Sequence, residues 1–217
     1  MPDDDDGDMT MSEQELQERT LLSMEEYLAL DEEVERESEV VEGHLVAREP
    51  RERPHQKTAF RLANGFEVAV LKYRSAHAGS RGAPCYEINT EVPVRLWDVP
   101  LTIRKPDAIV HRCREQFETL EAADAVIVTE VVSRWSQSRD RIHKMGEYAK
   151  ALIPHYLIVQ FDELGATIVE HYALMGTDTS YFKIGITHRD RDIWALNLTT
   201  PFEIQVGWPD LAIALPA

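Results

Sequence analysis

Cysteine is almost missing from this chain: Cys85 and Cys113 are the two present, far apart and outside any CxxC pair. That usage argues against a disulfide framework and a thiolate zinc site, and leads to the expectation of two ordinary thiols in a reducing cytoplasm. Long apolar runs are missing as well. No stretch approaches the roughly 18 residues that a membrane span needs, and the N-terminus lacks a basic start followed by an apolar block. A soluble, cytoplasmic protein with no membrane partner is therefore expected. The chain has 217 residues, 43% of them hydrophobic, enough for one good core but not for two. This predicts a single domain over 21–217 preceded by a tail over 1–20.

Basic residues are scarce, with 23 Lys and Arg against 39 Asp and Glu and a formal charge of -16. Such a balance looks hostile to nucleic acid, whose phosphates are bound by Lys and Arg displacing counterions. The charge is unevenly spread, however. Residues 1–49 hold 18 acidic and 3 basic side chains, leaving 21 acidic against 20 basic in the remainder. The globular part is close to neutral, which removes the objection without supplying a basic stripe.

The Asp3 to Asp6 run, Asp8 and alternating Glu and Gln have too few apolar neighbours to offset the entropy of ordering, so residues 1–20 are expected to be a disordered acidic tail. Ser23 and Glu26 have capping-box spacing ahead of a short amphipathic helix over Met24 to Glu35. Two short strands are predicted in Glu39 to Ala47, turning at Glu42-Gly43, where glycine supplies the positive φ. Pro54 opens a helix to about Arg74 with Phe60, Leu62, Phe66, Val70 and Leu71 as apolar positions, interrupted by Gly65. Strands follow at Tyr86 to Arg95, Leu101 to His111 and Ala125 to Val132, then a helix from Gln137 to Leu152 with Ile142, Met145, Ala149 and Leu152 at helical spacing. His155 to Phe161, Ala166 to Leu174 and Tyr181 to His188 read as three more strands.

Two acids stand out. Asp107 lies in Ile103-Arg-Lys-Pro-Asp-Ala-Ile-Val110, and Glu130 closes Ala125-Val-Ile-Val-Thr-Glu-Val-Val132. A carboxylate beside such apolar strands needs a partner. One shared divalent cation would serve both, and oxygen ligands favour Mg2+, with Mn2+ as the alternative. The plainer reading has both acids at strand ends, facing solvent or an arginine such as Arg104 or Arg139.

The order Glu42-Gly43, His55, Pro106-Asp107, Glu130-Val-Val-Ser133, then Asp140, Lys144, Tyr148 and Pro154-His-Tyr156 resembles the Uma-two family of restriction endonucleases, within the PD-(D/E)XK nuclease superfamily. The resemblance spans about residues 23 to 205. It implies an α/β fold with a restriction-endonuclease-like core, a mixed β-sheet flanked by helices, and metal held by Asp107, Glu130 and the backbone carbonyl of Val131. The superfamily lysine would fall where Val132 stands; in the resembling family its role passes to a lysine on the following helix, here Lys144. Lys144 could equally pair with Asp140 four residues earlier. Tyr148 is either a hydrogen-bond donor behind the metal ligands or a half-buried aromatic, and Glu42 either completes the metal site through water or is solvated. His55 either matches the family pattern or caps the start of its helix. The chain departs from the family at Arg134, Leu152, Leu157 and Gln160, where Pro, Gly, Trp and Asp are common.

The expected function is thus Mg2+-dependent hydrolysis of phosphodiester bonds in nucleic acid, DNA ahead of RNA by family analogy, with a homodimer compatible with such chemistry. The rival is a catalytically silent nuclease fold acting as a binding or regulatory module.

Overall fold

The computed structural model describes residues 21–115, 118–132 and 139–213, the side chains of 139–141 excepted. The expected disordered tail over 1–20 lies outside the described residues.

The strands form two main sheets, several of them buried along nearly their whole length. Strands β3 (Tyr86–Asn89), β6 (Ala108–Arg112), β8 (Ala125–Val132), β9 (His155–Asp162), β10 (Gly165–Leu174) and β11 (Tyr181–His188) form a six-stranded sheet in the order β11-β10-β9-β8-β6-β3. Its pairs are antiparallel except β8 with β9. A parallel pair needs a crossover, and helix α4 (Arg139–Lys150) lies on it. The second sheet holds β1 (Ser38–Val41), β2 (His44–Ala47), β4 (Val94–Asp98), β5 (Leu101–Arg104) and β7 (Leu120–Glu121), in the order β2-β1-β5-β4-β7. The mixed sheets flanked by helices are the α/β architecture expected.

Helix α3 (Arg53–Ala76) covers one face of the larger sheet. Its buried stripe is Thr58, Ala59, Leu62, Ala63, Phe66, Ala69 and Val70, whereas Phe60 and Leu71 are exposed. Gly65 is there for contact: a Cβ would come within 2.8 Å of Val206 Cγ2, on the hairpin β12 (Trp194–Leu198) and β13 (Ile204–Gly207). That hairpin escapes the sequence pattern. It completes the core of Leu62, Phe66, Leu157, Val159 and Trp208. The opposite face packs Ile109, Val128 and Ile158 against Tyr148 of α4 and Val94 of the smaller sheet.

Several boundaries differ from the expectation. The first helix divides into α1 (Met24–Leu28), with the capping box at Ser23 and Glu26, and α2 (Glu32–Glu37). The expected strand over Leu101 to His111 breaks at Lys105-Pro106-Asp107 into β5 and β6, which belong to different sheets. Ile142 on α4 and Leu152 beyond its end are exposed, and the buried stripe of the helix is instead Lys144, Tyr148 and Ala149. Leu152 adopts φ +61° just past the helix, while Ile153 N donates to Tyr148 O at 3.1 Å. This is a left-handed C-terminal cap of the kind that favours glycine.

Cys85 and Cys113 form a disulfide, correcting the expectation of free thiols. The register Tyr86↔Arg112 between β3 and β6 sets the two residues opposite each other, with Cα atoms 5.3 Å apart. Their separation of 28 residues conceals that strand pairing.

Candidate active site

The antiparallel register of β6 and β8 pairs Ala108 with Thr129 and Ile109 with Val128. Continued by one residue, it sets Asp107 across from Glu130, and Asp107 Oδ2 accepts a hydrogen bond from Val131 N at 2.6 Å. Both acids are buried, at 2% and 7% exposure. Pro106 lets the chain leave the smaller sheet and enter the larger one, so Asp107 stands where the two meet.

Each acid is held by groups from other elements. His55, in the first turns of α3, places Nε2 3.2 Å from Asp107 Oδ2, and Arg51, just before that helix, places Nη2 2.7 Å from Oδ1. The Arg51 contact is an ion pair at an angle that makes no hydrogen bond, so Oδ1 has no hydrogen-bond partner among the described residues. Burial pushes the Asp107 carboxyl up, but His55, Arg51 and the Val131 amide outweigh it and hold the group below the usual aspartate range.

Lys144 and Tyr148, four residues apart on α4, share one helix face and both reach Glu130. Lys144 Nζ lies 3.2 Å from Glu130 Oε2 and Tyr148 donates its hydroxyl to Oε1 at 2.9 Å. Burial, with the adjacent Asp107 and Glu39 charges, pushes Glu130 up to about 7, Lys144 and Tyr148 only partly opposing this. Burial and the Glu130 carboxylate push the Tyr148 phenol well up, which keeps it a donor.

A third acid, Glu39 on β1, completes the cluster. Its Oε1 lies 3.3 Å from Lys144 Nζ and accepts from Lys105 N at 2.9 Å, and its Oε2 accepts from Arg104 Nη1 at 2.8 Å. Arg104 also binds Glu147 through Nε at 2.6 Å and Nη2 at 2.8 Å. Burial raises Glu39, but Lys144, Arg104 and the Lys105 amide leave it below the usual range.

The structure thus brings Asp107, Glu130, Lys144, Tyr148, His55 and Val131 together. Glu42 stands apart: it is exposed at the β1–β2 turn with φ +49°. The acid from that hairpin in contact with Lys144 is Glu39. The side chain of Asp140, offered as the alternative partner of Lys144, lies outside the described residues. Sequence reasoning missed Glu39, Arg51 and Glu147. Glu39 carried a signal, since in Ser38-Glu-Val-Val41 it stands among strand residues as Glu130 does.

The donor set fits a hard divalent cation in chemistry. Asp107 and Glu130 are buried carboxylates set across from each other, Glu130 is incompletely compensated, and Asp107 Oδ1 accepts no hydrogen bond among the described residues, its neighbour being the Arg51 ion pair. Among the described residues no three His, Cys, Asp or Glu side chains converge as a ready ligand group. Lys144 and Arg51 supply positive charge to the two acids here.

No curated protein matches the chain. Among solved structures, it is similar to "a putative nuclease belonging to DUF820" from Anabaena variabilis ATCC 29413, with 16% sequence identity and a TM-score of 0.59 over 87% of this chain and 96% of that one. At that identity the likeness speaks to the fold, which is consistent with the restriction-endonuclease type. The family described as "Putative restriction endonuclease" matches residues 24–208, nearly everything beyond the acidic tail, and the chain accordingly belongs to the Uma2 family.

Proposed function

We propose that this protein hydrolyses phosphodiester bonds in nucleic acid, DNA being the favoured substrate, with Mg2+ or Mn2+ as cofactor. The observation that carries the reading is the buried cluster in which Asp107 and Glu130, set across from each other, share their surroundings with the Lys144 ammonium. Asp107, Glu130 and the Val131 carbonyl would hold the ion. When bound, such an ion supplies an acidified water and neutralises charge on the scissile phosphate.

The protein's own groups do the rest. Lys144 holds Glu130 in place and offers an ammonium to the attacking water or to the charge developing on phosphorus. Tyr148 fixes the other oxygen of Glu130, and His55 orients Asp107. Arg104 and Glu147 steady Glu39, which in turn positions Lys144.

A silent binding module is the second reading, favoured by the internal pairing of both acids with Arg51 and Lys144. A cleavage assay on duplex DNA, single-stranded DNA and RNA separates the two. Cleavage should require Mg2+ or Mn2+, fail with Ca2+ and disappear in Asp107→Ala and Glu130→Ala. Lys144→Ala should lose on the order of a hundred-fold in turnover while still binding the metal. Wild type and Glu130→Ala equally inactive on every substrate, yet binding one of them, would replace the enzyme with the module.

A further inference from the structure

Two arginines beside the cluster face an acid that none of the chemistry above uses. Arg48 and Arg51 lie in the loop between β2 and α3, with side chains only 10% and 15% exposed. Both turn toward Glu91: Arg48 Nη1 lies 3.9 Å from its Oε2, and Arg51 Nη1 pairs with its Oε1. The other terminal nitrogen of Arg51 reaches Asp107. One guanidinium therefore separates the Glu91 carboxylate from the acid assigned to the metal.

The pairing leaves a donor unused. Arg48 Nη2 is buried and without a hydrogen-bond partner among the described residues. Glu91 itself is the accessible member, with its side chain 43% exposed. It sits at φ +59° in the connection between β3 and β4, where its amide donates to Pro106 O at 3.0 Å. That bond ties the residue to the segment carrying Asp107. An exposed carboxylate thus covers two largely buried guanidinium groups, a donor set that also matches a larger anion with more oxygens.

We propose that Arg48 and Arg51 form a clamp for a backbone phosphate of nucleic acid, and that Glu91 occupies the clamp as an internal anion in the free protein. The inference rests on the nucleic-acid reading above and names groups that hold the substrate. It also locates a basic element that the near-neutral composition does not reveal, since a few well-placed arginines replace a broad basic stripe.

Binding is measured on the full chain in EDTA, so that cleavage plays no part, by the anisotropy of a labelled DNA duplex across a salt series. Glu91→Gln removes the competing charge and should tighten binding by about five-fold or more at low salt. Arg48→Gln should weaken it and reduce the slope of log affinity against log salt by about 1. Arg48→Lys should recover part of the slope. Should Arg48→Gln fail to fold, Glu91→Gln decides alone.

Affinity unchanged or weakened in Glu91→Gln, or a wild-type slope in folded Arg48→Gln, overturns the clamp. Inorganic phosphate provides the other arm. Thermal stabilisation of Glu91→Gln by millimolar phosphate without any duplex binding would overturn nucleic acid as the ligand. A protein that binds through the clamp but never cleaves with Mg2+ would refute the enzyme reading and leave the clamp standing.

Discussion

Lys144→Met puts the charge cluster to its sharpest test. The substitution keeps most of the side chain's apolar stem and removes the ammonium that lies 3.2 Å from Glu130 and 3.3 Å from Glu39. Removing one partner of a buried pair typically costs about 3 to 5 kcal/mol, because the remaining charge stays uncompensated. Protonation of Glu130 offers a way out. Its folded carboxyl is already raised to about 7 from an ordinary 4.5, so between those values the folded state binds more protons than the unfolded state. Stability then falls as pH rises, by about 1.4 kcal/mol per unit where the difference is one full proton. Without Lys144 the group moves further up and the decline continues past neutrality. The destabilisation of Lys144→Met relative to wild type should therefore be smaller at pH 5.5, where Glu130 is largely protonated in both proteins and the ionised Glu39 loses Lys144 but keeps Arg104, and should grow to about 3 kcal/mol or more at pH 8.5. Urea unfolding followed by tryptophan fluorescence at pH 5.5, 7 and 8.5 reads this directly, with Glu130→Gln/Lys144→Met as the variant in which the pH dependence should shrink. A loss that is the same at every pH, or that stays under about 1 kcal/mol at pH 8.5, would show that Lys144 does not compensate these carboxylates.

Burial, with the adjacent His155, pushes His171 down to about 4 from an ordinary 6.5. The unfolded chain then binds more protons between those values, and about 3 kcal/mol of stability should be lost as pH falls from 6.5 to 4; a His171→Phe variant with an equally steep acid loss in urea titrations would contradict this. Gly65→Ala should destabilise by about 1 to 3 kcal/mol despite alanine's better helix propensity, because its Cβ meets Val206; Val206→Ala in the same chain should reduce the effect on Tm, and an additive loss would refute the contact. Leu152→Gly should stabilise by up to about 1 kcal/mol, since the residue is exposed and held at φ +61°; a lower Tm would mean that its side chain packs more than its exposure implies.

The larger sheet was readable because its strands carry strong local signals: Ala125–Val132 is apolar but for Thr129 and Glu130, and the strands β9, β10 and β11 show clear bounds. Asp107 and Glu130 were readable for the same reason, as acids among such neighbours. The hairpin β12–β13 was not, because its short segments, Trp194–Leu198 and Ile204–Gly207, acquire meaning only when packed on α3. The division of Leu101 to His111 between two sheets was hidden too, since periodicity reports extended backbone and not which neighbour pairs with it. Glu39, Arg51 and Glu91 were invisible as a set because their partners lie far along the chain: Glu39 meets Arg104 and Lys144 across 65 and 105 residues. The α4 stripe misled in an instructive way. Its apolar Ile142 faces outward, and Leu152 falls beyond its end, while Lys144 and Tyr148 face inward, as the buried carboxylates demand.

The contact between Glu39 and Lys144 joins the first strand of the smaller sheet to the crossover helix of the larger. Such a contact closes a long loop, and its entropic cost is offset only when both sheets and the helix between them have assembled. The charge cluster is therefore among the last things the chain can finish. A form holding the larger sheet alone would pair Asp107 with Glu130 and Lys144 but would lack Glu39 and Arg104, and with them the support that fixes the ammonium.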